Sequence, residues 1–98
     1  MMWGANLKIQ ISDRAFKQLK KIPPPHRENL IKAIDSLAEA PNKGKALSGK
    51  LSGYRSLRVG DYRIVYSVTK HNIQVVVLGH RSHIYEIIKW FLDFLFGL

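Results

Sequence analysis

Two short polar breaks, Gly60-Asp61 and Lys70–Asn72, divide residues 54–80 into three runs: Tyr54–Val59, Tyr62–Thr69 and Ile73–His80. Runs of six to eight residues rich in Val, Ile and Tyr and joined by such tight turns read as an antiparallel meander. In the middle run Tyr62, Ile64, Tyr66 and Val68 share one face, and Arg63, Val65, Ser67 and Thr69 share the other. In the first run Arg55 falls with Leu57 and Val59 by parity, so either a bulge resets the register or Arg55 stands at the rim of the sheet. A sheet with an apolar face needs a cover, and the preceding half of the chain supplies one.

Leu7, Ile9 and Ile11 alternate with polar residues across Asn6–Ser12, which predicts a further strand at the sheet edge or beside the last strand. Ser12 or Asp13 then offers an N-cap for a helix to about Ile22, with Ala15, Phe16, Leu19 and Ile22 as its apolar positions. Pro23–Pro25 stop it and open a second helix from about Pro25 to Ala40. Leu30, Ile31, Ile34, Leu37 and Ala38 form that helix's stripe. Residues 42–53, rich in Gly, Ser and Lys, read as a loop anchored by Leu47 and Leu51. Ser82 reads as the N-cap of a last helix reaching Gly97. The expectation is a single α+β domain over residues 1–98, a helical hairpin on a mostly antiparallel sheet, in the order β-α-α-β-β-β-α. Residues 86–98 form an apolar helical tail, from Ile87 and Ile88 through Trp90 and Phe94 to Leu98. One small domain cannot bury every face of that tail. The excess is expected to cover a groove, bury against a partner protein or form a dimer contact. At about a dozen residues it is too short to span a bilayer.

Charge narrows the class of function. Sixteen Lys and Arg against seven Asp and Glu give a net +9. Between Lys43 and His83 eight basic residues face one acid, Asp61, so this window carries +7 of the total. So one-sided a stripe suits a polyanion, nucleic acid first. The absence of cysteine excludes a disulfide scaffold, a thiolate zinc site and a cysteine nucleophile, and suits a reducing cytoplasm. The start MMWGANLKIQ lacks a basic region followed by an apolar one, so no secretory signal is expected. The four histidines are scattered without metal-site spacing, so no metal and no cofactor are expected.

The run Tyr54-Arg55-x-Leu57-Arg58-Val59-Gly60-Asp61-Tyr62-Arg63-Ile64-Val65-Tyr66, followed by Gly79-His80-Arg81-Ser82-x-Ile84-Tyr85, resembles the RelE/ParE superfamily of toxins from type II toxin–antitoxin systems, on its RelE-like side. The resemblance covers about residues 6–88. It implies a ribosome-dependent endoribonuclease that cleaves translated mRNA and is neutralised by a RelB-type antitoxin. It also admits a toxin–antitoxin heterotetramer on operator DNA. No membrane partner is expected. ParE-type relatives share the fold and inhibit DNA gyrase without nuclease chemistry, and an inactive binding protein of this fold is a third reading.

Cleavage of RNA without a metal proceeds by attack of the ribose 2′-oxygen on phosphorus. It needs donors where negative charge grows, a base for the 2′-hydroxyl and an acid for the leaving 5′-oxygen. Arginine stays charged and its fork matches two phosphate oxygens. Arg63 matches the arginine of the family's Tyr-Arg motif and sits mid-strand, away from the core. Arg81 matches the arginine near the end of the last strand, a position His80 also fits. Tyr85 matches a tyrosine that stacks on a base or moves a proton. Arg58 and Arg55 stand where relatives carry phosphate-binding basic residues. Some relatives have lysines there, and arginine is a poor base, which leaves the base unassigned. Catalysis is therefore expected of Arg63, Arg81, Tyr85 and Arg58. RNA binding is expected of Lys45, Lys50, Arg55, His80 and His83, with the two histidines as alternative proton carriers.

Overall fold

The computed structural model describes residues 7–96. Asn6 and residues 97–98, which the sequence assigns to the first strand and the tail, lie outside the described residues, as do the positions read for a leader. Five strands and three helices follow in order: β1 (Lys8–Ile11), α1 (Asp13–Lys20), α2 (Pro24–Ser36), β2 (Lys45–Ala46), β3 (Tyr54–Val59), β4 (Tyr62–Val68), β5 (Asn72–His80) and α3 (Ile84–Phe96). The sheet runs β1-β5-β4-β3-β2, with β1 parallel to β5 and every other pair antiparallel. The α+β architecture is the expected one. β1 and β2 stand at opposite edges, so α1 and α2 must cross the full width between them and cover one face.

Local chemistry starts and stops these elements. Ser12 Oγ accepts the Ala15 N–H at 3.0 Å, and Asp13 sits in the first turn of α1 with Lys17 and Lys20 in the last, matching the helix dipole. Pro24 and Pro25 occupy the first turn of α2, where a missing N–H costs nothing. α2 ends at Ser36 and not near Ala40, because Leu37–Glu39 tighten into i→i+3 turns: the Leu37, Ala38 and Glu39 N–H groups reach back three residues. Ser82 is not the cap of α3. Its hydroxyl bonds His80 Nδ1 at 2.8 Å, while the His83 carbonyl accepts the first helical bond, from Ile87. The stretch 42–53 is more ordered than a loop, since it contains β2 and a 3₁₀ turn at Gly49–Leu51.

Between α1–α2 and the sheet lies the main core, built from Ala15, Leu19, Ile22, Leu30, Ile34, Leu37, Leu57, Ile64, Tyr66, Ile73, Val75 and Leu78. Phe16 and Ile31, expected in the stripes, are instead exposed, at 51% and 42%. Each follows a fully buried residue by one position, and that step of about 100° turns it away from the sheet. A bulge explains how β5 supplies this core. Val65 pairs with Val77 and Tyr66 with Val75, leaving Val76 as the extra residue. Ile73 and Val75 therefore share a face with Leu78 and His80, against simple alternation. α1 satisfies the polar groups near the bulge. Ser12 Oγ donates to the Val76 carbonyl at 2.7 Å, and Gln18 Oε1 accepts the Leu78 N–H at 2.9 Å.

The opposite face carries α3 over a smaller core of Val65, Val77 and Phe91, with Leu47, Tyr54, Ile87 and Ile88 packed against it. Gly79 lets the helix come close: a Cβ there would stand 2.7 Å from Ile87 Cδ1. Beyond Ile11, where β1 stops, α1 and α3 meet around the edge of β5. The Arg14 guanidinium lies 3.3 Å over the Trp90 ring, and Trp90 stacks on Phe94. Phe94 and Leu95 remain exposed at 72% and 44%. No helix among the described residues is long and apolar enough to cross a membrane.

Candidate functional site

Cross-strand partners in an antiparallel sheet point to the same face, so the register sorts the basic residues. Lys45 pairs with Ser56, Ser56 with Val65 and Val65 with Val77, which makes one row on the α3 side. Arg58 pairs with Arg63 and Arg63 with Gly79, which makes the next row on that side. Two arginines directly opposite one another repel, at a cost of about 0.2–1 kcal/mol. Among the described residues neither has a carboxylate within ion-pair distance; the one ion pair there joins Arg81 to Asp61. The pair presents two positive charges on a rigid sheet, and an anion placed between them would relieve their repulsion.

A groove of about 270 Å³ opens beside this pair. Its floor is Ser56 and Arg63. One wall is β2 and the segment after it, with Lys45, Leu47 and Leu51; the other is α3, with Ile84, Tyr85 and Ile88. The sheet thus brings Arg63, Tyr85 and Lys45 to one cleft, with Arg58 beside it. Arg63 is half-buried and Tyr85 is 74% exposed, a ring offered to solvent.

The backbone before Lys45 is fixed from both sides. Buried Tyr66 donates its hydroxyl to the Pro41 carbonyl and accepts the Gly44 N–H, both at 2.8 Å. The Gly44 carbonyl accepts from Arg55 Nη1 at 2.7 Å. Gly44 has no room for a side chain, since a Cβ would meet the Tyr66 hydroxyl at 2.7 Å.

Other expected residues lie elsewhere. Arg55 pairs with Tyr66, so it shares the hairpin face; there is no bulge in β3, and its guanidinium holds the Gly44 and Asn42 carbonyls at the sheet's edge. The structure thus makes it a brace for the β2 segment, on the side away from the groove. His80 pairs with Tyr62, again on the hairpin side, and its ring meets Tyr62 edge-on at 5.3 Å. The Ser82 N–H donates to His80 Nδ1, which places the proton of the neutral ring on Nε2. His83 is exposed, 6.4 Å from His80, and neither histidine lines the groove. Arg81 stands at the rim, 65% exposed, its Nε 3.7 Å from Asp61 Oδ1 and its N–H bonded to the Asp61 carbonyl. Such an open pair is weak, so Asp61 orients Arg81 without neutralising it. Lys50 is exposed on the 3₁₀ turn above the wall. Among the described residues no three His, Cys, Asp or Glu are grouped to hold a metal ion.

The order of elements and the arginine-lined cleft can be set beside known proteins. A sequence model of the ParE toxin of type II toxin–antitoxin systems matches residues 9–85. The chain belongs to this toxin family. Within the wider RelE/ParE superfamily, the toxin is 32% identical over 82 residues to toxin RelG of Mycobacterium tuberculosis, covering 80% of this chain and 94% of that one. Its fold matches the M. tuberculosis RelBE2 toxin–antitoxin complex with a TM-score of 0.73 at 25% identity, over 78% of this chain and 99% of that one. The isolated Escherichia coli RelE toxin matches with a TM-score of 0.66 at 26% identity, over 87% of this chain and 98% of that one. The matched region of the toxin contains β2 to β5 and all of β1 but Lys8, with the whole Arg58–Arg63 hairpin and Tyr85. The sequence pattern missed the positioning of β2 by Tyr66 and Gly44. The Gly44-x-Ala46 stretch offers no periodicity, and the signal is a hydrogen bond between residues 22 positions apart.

Proposed function

We propose that the toxin is a ribosome-dependent, metal-independent mRNA endoribonuclease of the RelE kind. The observation that supports this most directly is the uncompensated Arg58–Arg63 pair at a groove whose far wall presents Tyr85. In this reading a nucleotide of the transcript lies across the sheet, with its base stacked on Tyr85. Arg63 grips the phosphate oxygens as the 2′-oxygen attacks, and Arg58 adds to the field where the phosphorane's charge grows. A guanidinium on a mid-sheet strand loses little freedom on binding, which suits a transition-state clamp. Arg81 extends the field at the rim, and Lys50 attracts the backbone of the message. His80, on the other side of the sheet, and His83, exposed just before α3 and not lining the groove, fall outside this reading of the chemistry. The toxin acts in the cytoplasm, where translated message is found. Relatives are solved as RelB–RelE complexes, which supports a RelB-type antitoxin as its partner; in this reading the two assemble as a heterotetramer on operator DNA.

The matching family is named for ParE, which favours a second reading, gyrase inhibition without cleavage. Primer extension on mRNA from cells expressing the toxin separates the two. Codon-phased cuts within translated regions support the nuclease. Intact messages with arrested replication overturn it in favour of the second reading.

A further inference from the structure

One end of the hairpin face carries a row of rings that neither the core nor the cleft accounts for. His26, in the first turn of α2, lies 5.4 Å from Tyr62 of β4, ring centre to ring centre. Tyr62 meets His80 of β5 at 5.3 Å, and His80 lies 6.4 Å from His83, just before α3. These separations fall in the range of interacting aromatic pairs. Packing explains Tyr62, which is half-buried against the main core. It does not explain the histidines, since His26 and His83 are exposed and His80 is only partly covered. His80 is nevertheless held in place. The Ser82 N–H donates to its Nδ1 at 3.1 Å, and the Ser82 hydroxyl lies 2.8 Å from the same nitrogen. A ring fixed at the surface loses little freedom when a flat partner covers it.

The chemistry of the row selects its partner. A metal ion fits poorly, because the Ser82 N–H occupies Nδ1 of His80 and the neutral ring then carries its proton on Nε2. An apolar protein groove fits poorly too, since none of the exposed large apolar side chains among the described residues belongs to the row. Unpaired RNA bases fit: their flat faces stack on His and Tyr rings, and arginine holds the adjoining phosphate. Arg81 supplies that cation. Gly79 shares the Arg63 row on the α3 side, His80 falls on the hairpin side, and Arg81 follows at the rim, 65% exposed. We propose that His26, Tyr62, His80 and His83 form a stacking platform for unpaired bases of the message beside the cleaved codon. The proposal rests on the nuclease reading above and adds a binding surface on the face opposite the chemistry. A message that leaves the cleft over the end of the sheet passes Arg81 and lays its bases on the row. Such a platform holds substrate and transition state alike, so it lowers KM and leaves kcat unchanged.

The test measures kcat and KM of the full-length toxin, per folded molecule, on ribosome-bound message that is either natural or abasic at the nucleotides flanking the cleaved codon. Abasic residues keep every phosphate and remove only the stacking faces. His26→Ala and His80→Ala are each expected to raise KM on natural message about 5- to 150-fold, the range for loss of one stacked base, with kcat unchanged. His26→Tyr keeps a stacking ring and should hold KM near the parent value. Abasic message should raise the parent's KM to a similar degree and leave that of His80→Ala unchanged. A His80→Ala toxin with the parent's KM overturns the proposal. So does a fall in kcat at constant KM, which puts the ring in the chemistry. A raised KM in the variants that abasic message does not reproduce in the parent also overturns it, and assigns the row to ribosomal RNA or a protein surface. A parent toxin that cuts neither message sinks the nuclease reading itself.

Discussion

The two faces of the sheet are built from alternate residues of the same strands, yet they serve opposite ends. The hairpin face is dry and closed: Ile64, Tyr66, Val75 and Leu78 are fully buried under α1 and α2. The α3 face is divided. Val65, Val77 and Phe91 form a small core under the helix, and one row further along the sheet gives way to Arg58 and Arg63. Stability resides mainly in the first face, and the second gives up part of its apolar area to hold charge. The difference shows how so small a domain can carry a charged cleft. Strand alternation lets Arg63 sit beside Ile64 in the chain and on the other side of a rigid layer from the main core.

Neighbouring substitutions in β4 test that division most severely. Ile64→Ala removes a fully buried side chain and should cost about 2–5 kcal/mol, read as a shift in denaturant midpoint. Arg63→Ala should leave the midpoint nearly unchanged while cleavage falls by about 10²–10³-fold, the range for loss of one transition-state donor. If Arg63→Ala melts the domain, or still arrests growth fully, the two faces are not separable in this way.

The link between the faces breaks next. Tyr66 belongs to the hairpin core, but its hydroxyl holds the β2 segment that carries Lys45. Tyr66→Phe leaves the Gly44 N–H without that partner and should cost about 1–3 kcal/mol. Activity should fall with it by more than the loss of folded protein explains. Gly44→Ala places a Cβ 2.7 Å from the same hydroxyl and should produce the same pair of effects. Equilibrium unfolding combined with cleavage rates per folded molecule checks both. By contrast, Ser12→Ala removes the N-cap of α1 and its bond to the bulge, and should cost about 1 kcal/mol with activity per folded molecule unchanged.

The sequence shows most where one local rule decides. Ser12 as a cap, the prolines between the helices and the Gly60-Asp61 turn are each set by a few adjacent residues. The face assignment in β4 follows from strict alternation, and so Arg63 was placed opposite Ile64 and Tyr66 from sequence alone. It fails in β5, where the extra residue Val76 flips the parity and no residue type marks the position. That flip sends His80 to the hairpin side. Arg55 was ambiguous for a different reason. Its parity is that of Leu57, and only the carbonyls of Asn42 and Gly44 explain how a charged group sits on that face. β2 was invisible because two residues carry no period; it exists through Tyr66 and the β3 edge.

The smallest expected effect has a sign that the comparison alone dictates. On the hairpin face any truncation should destabilise. At Arg58 the reverse is expected, because the side chain is exposed and its cross-strand partner is another arginine. Arg58→Thr removes the repulsion and places a β-branched residue on a strand, so it should raise stability by about 0.2–1 kcal/mol. Cleavage should weaken, and the gain in stability should shrink as salt is added, since screening already relieves the parent. Thermal melting at low and high ionic strength, alongside cleavage rates, measures both. A parent that outlasts Arg58→Thr at low salt would mean that the guanidinium pair is compensated within the fold, and the α3 face would then lose its claim to be held open for an anion.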